Sequence, residues 1–124
     1  MAKPEFTCSV AVQPLPEQSK PDEGQYAFAY TVTIRNTGGA TAQLIARHWV
    51  ITDAHGHTEE VRGLAVVGHQ PVLKPGEQFE YTSWTRLAAP NGTMRGTFLC
   101  ITDDACPFDA AVPEFGLTSP ATLH

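Results

Sequence analysis

Alternation of apolar and polar residues with a period of two dominates the chain. Between residues 26 and 35 it places on one face Tyr26, Phe28, Tyr30, Val32 and Ile34. Aromatic and β-branched residues in this pattern predict a long, half-buried strand. Turn-forming residues follow at positions 36–39, where the strand is expected to end.

Similar segments recur along the rest of the chain. The pattern predicts a first strand at 6–12 and further strands at 43–53, 58–62, 78–83, 93–102 and 108–115. In the strand at 43–53 the alternation places Ile45, Arg47, Trp49 and Ile51 on one face. The Pro-rich segment 14–24 is predicted to be a loop, and turns are predicted at 54–57, 74–77 and 90–92.

Short strands separated by turns, with no helical segment of ten residues, predict an all-β fold, an antiparallel β-sandwich. Trp49, midway along its strand, suits the centre of an immunoglobulin-like core. The 124 residues correspond to one domain, 1–124, for which we expect an ordered core at about 6–117. With 42% hydrophobic and 17% charged residues, the composition is that of a globular chain rather than a disordered one.

Charge and hydropathy exclude several function classes. The formal net charge is −5 and there is no run of Lys and Arg, so nonspecific nucleic-acid binding is not expected. No apolar run approaches the roughly 20 residues that span a bilayer, so we expect no membrane insertion. The first residues lack the shape of an export signal, which favours a cytoplasmic location.

A glycine-containing segment, Gly63-Leu64-Ala65-Val66-Val67-Gly68, is the first candidate for chemistry. A dinucleotide fingerprint is not expected, because Ala65 stands at the middle glycine position and no helix follows. A loop at 62–70 could still bind an anion weakly through its backbone N–H groups. The candidate residues for that site are listed here: Arg62, Gly63, Ala65, Gly68 and His69, with Lys74 nearby. The alternative is an ordinary connection that caps the sandwich, and we favour it.

Histidines form the second candidate. Asp53, His55 and His57 alternate near a predicted turn, and imidazole and carboxylate groups are ligands for divalent transition metals. A tight site needs three or four converging ligands, so we interpret these residues as solvated turn residues. We expect no high-affinity metal site and no cofactor.

The cysteines and the second tryptophan, Trp84, are the remaining candidates for chemistry or binding. Cys100 and Cys106 are close enough in sequence to pair, but an odd count of three in a cytoplasmic protein favours free thiols. Neither a nucleophile elbow nor a catalytic triad spacing is visible, so we do not expect an enzyme. Trp84 and Arg86 end a predicted strand and are candidate contacts for a protein partner, although packing of Trp84 is equally compatible.

Blocks spread over the chain resemble the bacterial ApaG family. They are listed in order: 26–36 (YAFAYTVTIRN), 47–53, 66–71, 75–77, 81–83, 92–96, 107–108 and 113–115. The match is collinear from about residue 6 to residue 124. It implies a single immunoglobulin-like or fibronectin type III-like sandwich. The family often carries a Gly-x-Gly-x-x-Gly loop, whose positions here are Gly63, Ala65 and Gly68, and it has no established catalytic residues to transfer.

Two functional hypotheses result. The resemblance implies a non-enzymatic binding or adaptor module with an indirect link to Co2+ and Mg2+ homeostasis, because family members are often described as Co2+/Mg2+ efflux proteins. The alternative is a protein that binds pyrophosphate or a nucleotide weakly through the loop at 62–70. Exposed sheet edges also make a homodimer a reasonable expectation.

Overall fold

The computed structural model describes residues 3–120, and these fold into two packed antiparallel sheets. The eight strands are β1 (Phe6–Pro14), β2 (Tyr26–Asn36), β3 (Ala42–Asp53), β4 (Thr58–Leu64), β5 (Val72–Leu73), β6 (Gln78–Leu87), β7 (Asn91–Thr102) and β8 (Pro107–Thr118). Single 3₁₀ turns at Pro16–Gln18 and Pro21–Glu23 occupy the segment predicted as a loop. The remaining residues of the predicted domain, 1–2 and 121–124, lie outside the described residues.

Strand order identifies the sandwich as immunoglobulin-like. One sheet has the order β1-β2-β6, and the other has β4-β3-β7-β8, with the short β5 also paired to β3. In immunoglobulin notation these are strands A-B-E on one sheet and C-F-G on the other, with a C′ strand beside C. The predicted all-β, antiparallel sandwich is therefore confirmed.

Aromatic packing between the sheets forms the centre of the core. Trp49 on β3 is 2% exposed, and its ring lies 5.6 Å from that of Tyr30 on β2. Phe98 and Phe115 approach it edge-on, at centroid distances of 5.7 and 6.2 Å. The predicted burial of Trp49 is confirmed. Through these aromatic contacts, its ring packs β2 of one sheet against β3, β7 and β8 of the other.

A β-bulge changes the predicted faces of β3. Pairing with β7 shifts register between Leu44 and Ala46, so the extra residue Ile45 is out of step with the alternation. Leu44 is consequently buried in the core together with Trp49 and Ile51, whereas Ile45 is only half-buried. The prediction that Ile45 shares a face with Trp49 was wrong, because strict alternation does not survive an inserted residue.

Candidate functional site

Residues 62–70 do not form one continuous loop. Arg62, Gly63 and Leu64 are the last residues of β4, which runs two residues further than the predicted end at Arg62. A tight turn follows, closed by reciprocal backbone hydrogen bonds between Val66 and His69 at 2.8 and 2.9 Å. The prediction of a loop starting at Arg62 was therefore wrong, because pairing with β3 continues to the Ala46–Leu64 pair.

Arg62 lies on the outer face of its sheet. Its side chain is 74% exposed, and its Nη2 atom is 3.5 Å from Glu60 Oε1. The same Glu60 oxygen is 2.8 Å from His48 Nε2. The hydrogen bond with His48, supported by the charge of Arg62, lowers the pKa of Glu60. Since neighbouring strand residues face opposite ways, the Arg62 side chain and Gly63 are on different faces of β4.

Arg47 is a candidate functional residue of this region that was not predicted from the sequence. Its Nη1 group donates hydrogen bonds to the carbonyl oxygens of Leu64 at 2.8 Å and Ala65 at 3.0 Å. A Cβ atom on Gly63 would lie 2.9 Å from both terminal guanidinium nitrogens. Gly63 therefore makes room for a guanidinium that holds the end of β4. An arginine among the predicted inward positions of β3 was the available signal.

Three backbone amides of the turn are already engaged. Ala65 N donates to Ile45 O at 2.8 Å, and the amides of Val66 and His69 donate to each other's carbonyls. The His69 ring packs against Phe79, with 5.6 Å between centroids. An anion could thus be approached only by the tip of the turn at Val67–Gly68, where both residues have positive φ, 48° and 80°. The structure does not bring the five candidate residues together as one cradle.

Asp53 organises the turn that contains two histidines. Its Oδ1 atom accepts the backbone N–H of His55 at 2.8 Å and of His57 at 3.1 Å. Burial opposes ionisation of this carboxyl, but those hydrogen bonds and the nearby imidazoles outweigh it and lower the pKa of Asp53. The two imidazole centroids are 6.5 Å apart and nearly perpendicular. Among residues 3–120, no group of three His, Cys, Asp or Glu side chains converges as metal ligands would.

The three cysteines are all free thiols. Cys8 and Cys100 are buried in the core, and Cys106 is exposed on the turn between β7 and β8. Burial raises the pKa of the Cys8 thiol to about 11 and that of Cys100 to about 12. The expectation of free thiols is confirmed, and Cys100 and Cys106 do not pair.

Trp84 stands on the outer face of the three-stranded sheet. It is 60% exposed, and the Arg86 guanidinium carbon lies 5.5 Å from the centroid of its ring. Trp84 pairs across the strands with Ala29, whose small side chain leaves space beside the indole. A groove of about 400 Å³ results. We call its lining the Trp84 surface: Leu15, Gln18, Ala29, Thr82, Ser83, Trp84 and Arg86.

A second groove, of about 640 Å³, lies on the outer face of the other sheet. Leu64 and Leu99 are exposed hydrophobic residues on its rim, beside His48, Arg62 and Asp109. This surface was not predicted from the sequence, because Leu64 was expected in a loop and not on the strand face that it shares with Arg62.

Strand order and core packing define the class of this protein as an immunoglobulin-like antiparallel β-sandwich. The profile of the ApaG domain family matches residues 16–102, and the chain belongs to this family. Within the described residues, no helix is long and apolar enough to pass through a membrane.

Curated relatives match the chain over nearly its full length. Protein ApaG of Ralstonia nicotianae is 57% identical over 124 residues, covering 100% of both chains. Protein ApaG of Bordetella pertussis is 54% identical and covers 97% of this chain and 92% of the relative. The crystal structure of a Bordetella pertussis protein named ApaA superposes with a TM-score of 0.92 at 53% identity, over 96% of this chain and 97% of the other.

Proposed function

We propose that this protein is a non-enzymatic, cytoplasmic binding module, an adaptor whose link to Co2+ and Mg2+ homeostasis is indirect. The observation that carries the proposal is the Trp84 surface. A tryptophan that is 60% exposed, next to an arginine and above a groove, is the combination found at the centres of protein–protein interfaces.

The energetics of Trp84 support a macromolecular partner. A tryptophan side chain offers up to about 250 Å² of surface, so covering its exposed part would contribute about 3–4 kcal/mol at 25 cal/mol per Å². Arg86 adds a cation to the groove and would favour an acidic or carboxylate-bearing contact on the partner. Polar side chains at Gln18, Thr82 and Ser83 supply hydrogen-bonding groups around the indole.

A comparison of single variants in a pull-down experiment tests the proposal. Wild-type protein, Trp84→Ala and the matched control Leu99→Ala, which alters an exposed apolar residue on the other sheet, are immobilised and exposed to lysate of the native cell. We expect a retained protein whose affinity falls at least tenfold with Trp84→Ala and is unchanged with Leu99→Ala. Binding of that purified partner is then measured directly.

Cobalt sensitivity tests the link to metal homeostasis. In a strain without the gene, the wild-type copy and Leu99→Ala are expected to restore growth at raised cobalt concentration, whereas Trp84→Ala is not. The purified protein is titrated with cobalt in parallel. Submicromolar, stoichiometric binding that disappears in a His55→Ala, His57→Ala double variant would make the link direct and would contradict the proposal.

A weak phosphate-binding function is the second candidate, and one observation favours it. Val67 and Gly68 both have positive φ at the exposed tip of the turn, a backbone geometry that can point successive N–H groups outward. With Arg62 on the outer face and three amides engaged, few charge-assisted bonds are available, so we expect a Kd nearer millimolar than micromolar for pyrophosphate. Backbone amide shifts during an NMR titration measure it. Micromolar binding that is lost in Arg62→Ala would rank this function first.

A further inference from the structure

One sheet of the sandwich ends at a strand edge without a neighbour. Within residues 3–120, β6 pairs with β2 on one side and with no strand on the other. Constant-type immunoglobulin domains carry a fourth strand, D, at this place in the A-B-E-D sheet. In this chain the residues between β4 and β6 pair with β3 instead, as the short strand β5. The D position beside β6 is therefore vacant.

The backbone pattern shows which groups of β6 face that vacancy. Asn36 N donates to Glu77 O, which makes residues 36 and 77 a hydrogen-bonded pair in the β2–β6 ladder. Hydrogen-bonded pairs recur every second residue in an antiparallel ladder. The odd-numbered residues 79–87 thus bond to β2. The even-numbered residues direct their N–H and C=O groups to the free edge: Gln78, Glu80, Thr82, Trp84 and Arg86.

The β6 edge has fewer of the features that block strand pairing than the other edges have. Strands β1 and β8 lie against each other, with Phe6 and Phe108 in edge-to-face contact at 5.4 Å, and β8 contains Pro107 and Pro113. On β4 the exposed charges of Glu60 and Arg62 are already paired with each other, and Glu60 also hydrogen-bonds with His48, whereas on β6 the charged residues Glu80 and Arg86 lie six positions apart. Pairing of β6 with β2 runs without a bulge from Gln78 to Leu87, and β6 contains no proline.

The space beside the C-terminal end of β6 is open. A cavity of about 270 Å³ separates the C-terminal end of β6, at Arg86 and Leu87, from the β3–β4 hairpin, at Asp53 and Glu59. One end of a strand added beside β6 would lie at this gap. An incoming strand needs matching side chains on the outer face of the sheet, where β6 presents Glu80, Thr82, Trp84 and Arg86.

We propose that a second copy of this chain fills the D position through antiparallel pairing of β6 with the partner's β6, on a two-fold axis at Ser83. The sequence of β6 is self-complementary about this residue, because Glu80 and Arg86 are equally distant from it. In this register Glu80 faces the partner's Arg86, and Thr82 faces the partner's Trp84. All four residues direct their backbone N–H and C=O groups to the free edge, so each of the two facing pairs is a hydrogen-bonded pair of the antiparallel ladder.

The pairing extends the sheet and covers apolar surface. Four facing pairs with two bonds each supply about eight backbone hydrogen bonds. Trp84 and the partner's Trp84 become diagonal neighbours on one face, a separation of about 7–8 Å that aromatic side chains bridge. The Glu80–Arg86 pairs form twice by symmetry. A register centred on Thr82 would instead place Glu80 opposite the partner's Trp84 and lose both ion pairs.

This dimer goes beyond the proposed function, since a sandwich could bind another protein as a monomer. It also leaves the parts of the Trp84 surface on β2 and the 3₁₀ turn, Ala29 and Gln18, accessible on each copy. Experiments that act on the backbone of the edge therefore separate dimerisation from partner binding, which depends on the Trp84 side chain.

Proline substitution tests the edge. Thr82→Pro removes an edge-facing N–H group and spares the ladder with β2. The matched control is Arg62→Pro on the edge of β4, because the Ala65 N to Ile45 O bond shows that even-numbered residues of β4 also face outward. In sedimentation equilibrium at up to about 500 μM protein, wild type and Arg62→Pro are expected to reach twice the monomer mass. The dimer dissociation constant of Thr82→Pro is expected to be at least tenfold higher than that of the wild type. A wild type that stays monomeric, or loss of the dimer in Arg62→Pro alone, would overturn the proposal.

Charge exchange tests the register and does not depend on the proline variant being folded. Glu80→Arg and Arg86→Glu are each expected to raise the dimer dissociation constant severalfold, because like charges then face each other. The double variant restores opposite charges only in the register centred on Ser83. Recovery of the wild-type dissociation constant supports the proposal, and a double variant as weak as the single ones contradicts it. Circular dichroism confirms that each variant is folded.

Discussion

At the scale of single residues, the Tyr81 hydroxyl is an unusual polar group. The side chain is 8% exposed, and within the described residues the hydroxyl oxygen has no hydrogen-bond partner. A buried polar group without a partner costs about 1–3 kcal/mol. Tyr81→Phe is therefore expected to raise the free energy of unfolding by about 1 kcal/mol, as measured by urea denaturation.

Tyr30 provides the control for this prediction. It is also buried, but its hydroxyl hydrogen-bonds with Ser83. Tyr30→Phe removes a satisfied bond and leaves Ser83 with one fewer partner, so it is expected to lower the free energy of unfolding by about 1 kcal/mol. Equal effects of the two substitutions would show that the Tyr81 hydroxyl is not a destabilising group.

Ala65 has a backbone conformation that is strained for a residue with a side chain. Its φ of 67° lies in the left-handed region, where a Cβ atom costs roughly 1–2 kcal/mol. Part of this cost is offset because glycine makes the unfolded chain more flexible. Ala65→Gly is expected to raise the free energy of unfolding by about 0.5–1 kcal/mol in chemical denaturation.

Ala46→Gly is the comparison for Ala65. Ala46 lies in β3 and is not among the residues with positive φ, so glycine there relieves no left-handed strain and is expected to cost about 0.5–1 kcal/mol. Loss of stability in both variants would mean that the turn does not hold Ala65 in a strained conformation.

Predictions for single residues were correct where the burial of a side chain follows from residues near it in sequence, and they failed where distant strands determine its contacts. Trp49 was placed correctly in the core, because a tryptophan midway along a strand of a predicted sandwich suits the centre between the sheets. Arg47 was not recognised, because its partners are carbonyl oxygens at the end of β4, 17 and 18 residues away in sequence. The exposure of Trp84 depends on Ala29 of a neighbouring strand, so the sequence left both possibilities open.

At the scale of elements, β7 shows how a glycine can be required by a neighbouring strand. Gly96 pairs with Trp49, and a Cβ atom on Gly96 would collide with the indole ring and lie 3.0 Å from His48 O. Gly96→Ala is therefore expected to lower the free energy of unfolding by about 2–3 kcal/mol, the upper range for overpacking a core. Thermal and urea unfolding measure the loss.

Gly116 on β8 is a matched position with open space around the missing side chain. No heavy atom lies within 4 Å of an added Cβ, leaving out its chain neighbours. Gly116→Ala is expected to change the free energy of unfolding by less than about 0.5 kcal/mol. If Gly96→Ala were equally mild, the Trp49 ring would have to move without cost.

Strand positions were largely predictable, and strand ends were less so. The long strand at 26–35 was predicted almost to the residue, since Asn36 and the glycines after it interrupt the alternation. The actual ends of β4 and β8 lie beyond the predicted ones, because pairing with β3 and β7 continues after the alternating pattern fades. The bulge at Ile45 of β3 is set by pairing with β7 and left no clear mark in the alternation. The second bulge lies on β8, where Pro113 and Glu114 oppose the single residue Arg95 of β7.

At the scale of the whole molecule, the buried thiols couple stability to alkaline pH. Burial raises the pKa of Cys8 to about 11 and of Cys100 to about 12, from an ordinary value of 9.0. Above pH 9 the unfolded chain loses these protons while the folded chain keeps them. Stability is therefore complete below about pH 9 and falls as pH rises toward 11–12, by up to about 1.4 kcal/mol per pH unit and thiol.

Denaturation curves recorded from pH 8 to 10.5 measure this decline. In a Cys8→Ala, Cys100→Ala double variant the decline is expected to be shallower, even though lost packing lowers stability at every pH. Cys106→Ser alters the exposed thiol and should leave the slope unchanged. An unchanged slope in the double variant would assign the pH dependence to other groups.

The whole fold followed from patterns that are local in sequence, whereas the surfaces did not. Period-two alternation and turn residues were sufficient for an antiparallel sandwich. Among residues 3–120, the outer edge of β6 stays free because β5 pairs with β3 and not with β6. The alternation within each strand does not show which of these two distant strands β5 joins. The candidate loop at 62–70 failed as one site for a related reason, because strand pairing turned Arg62 and Gly63 to opposite faces.

The different burial of the three thiols also allows thiol labelling to measure how the two sheets separate. Cys8 belongs to β1 and Cys100 to β7, so they lie on opposite sheets, while Cys106 is on the surface. A thiol reagent would modify Cys106 at once, but it reaches the other two only when the sheets separate. At high reagent concentration their labelling rate becomes the rate of opening itself. Equal rates at Cys8 and Cys100 would mean that both sheets open in a single cooperative event, and unequal rates would reveal one sheet loosening first.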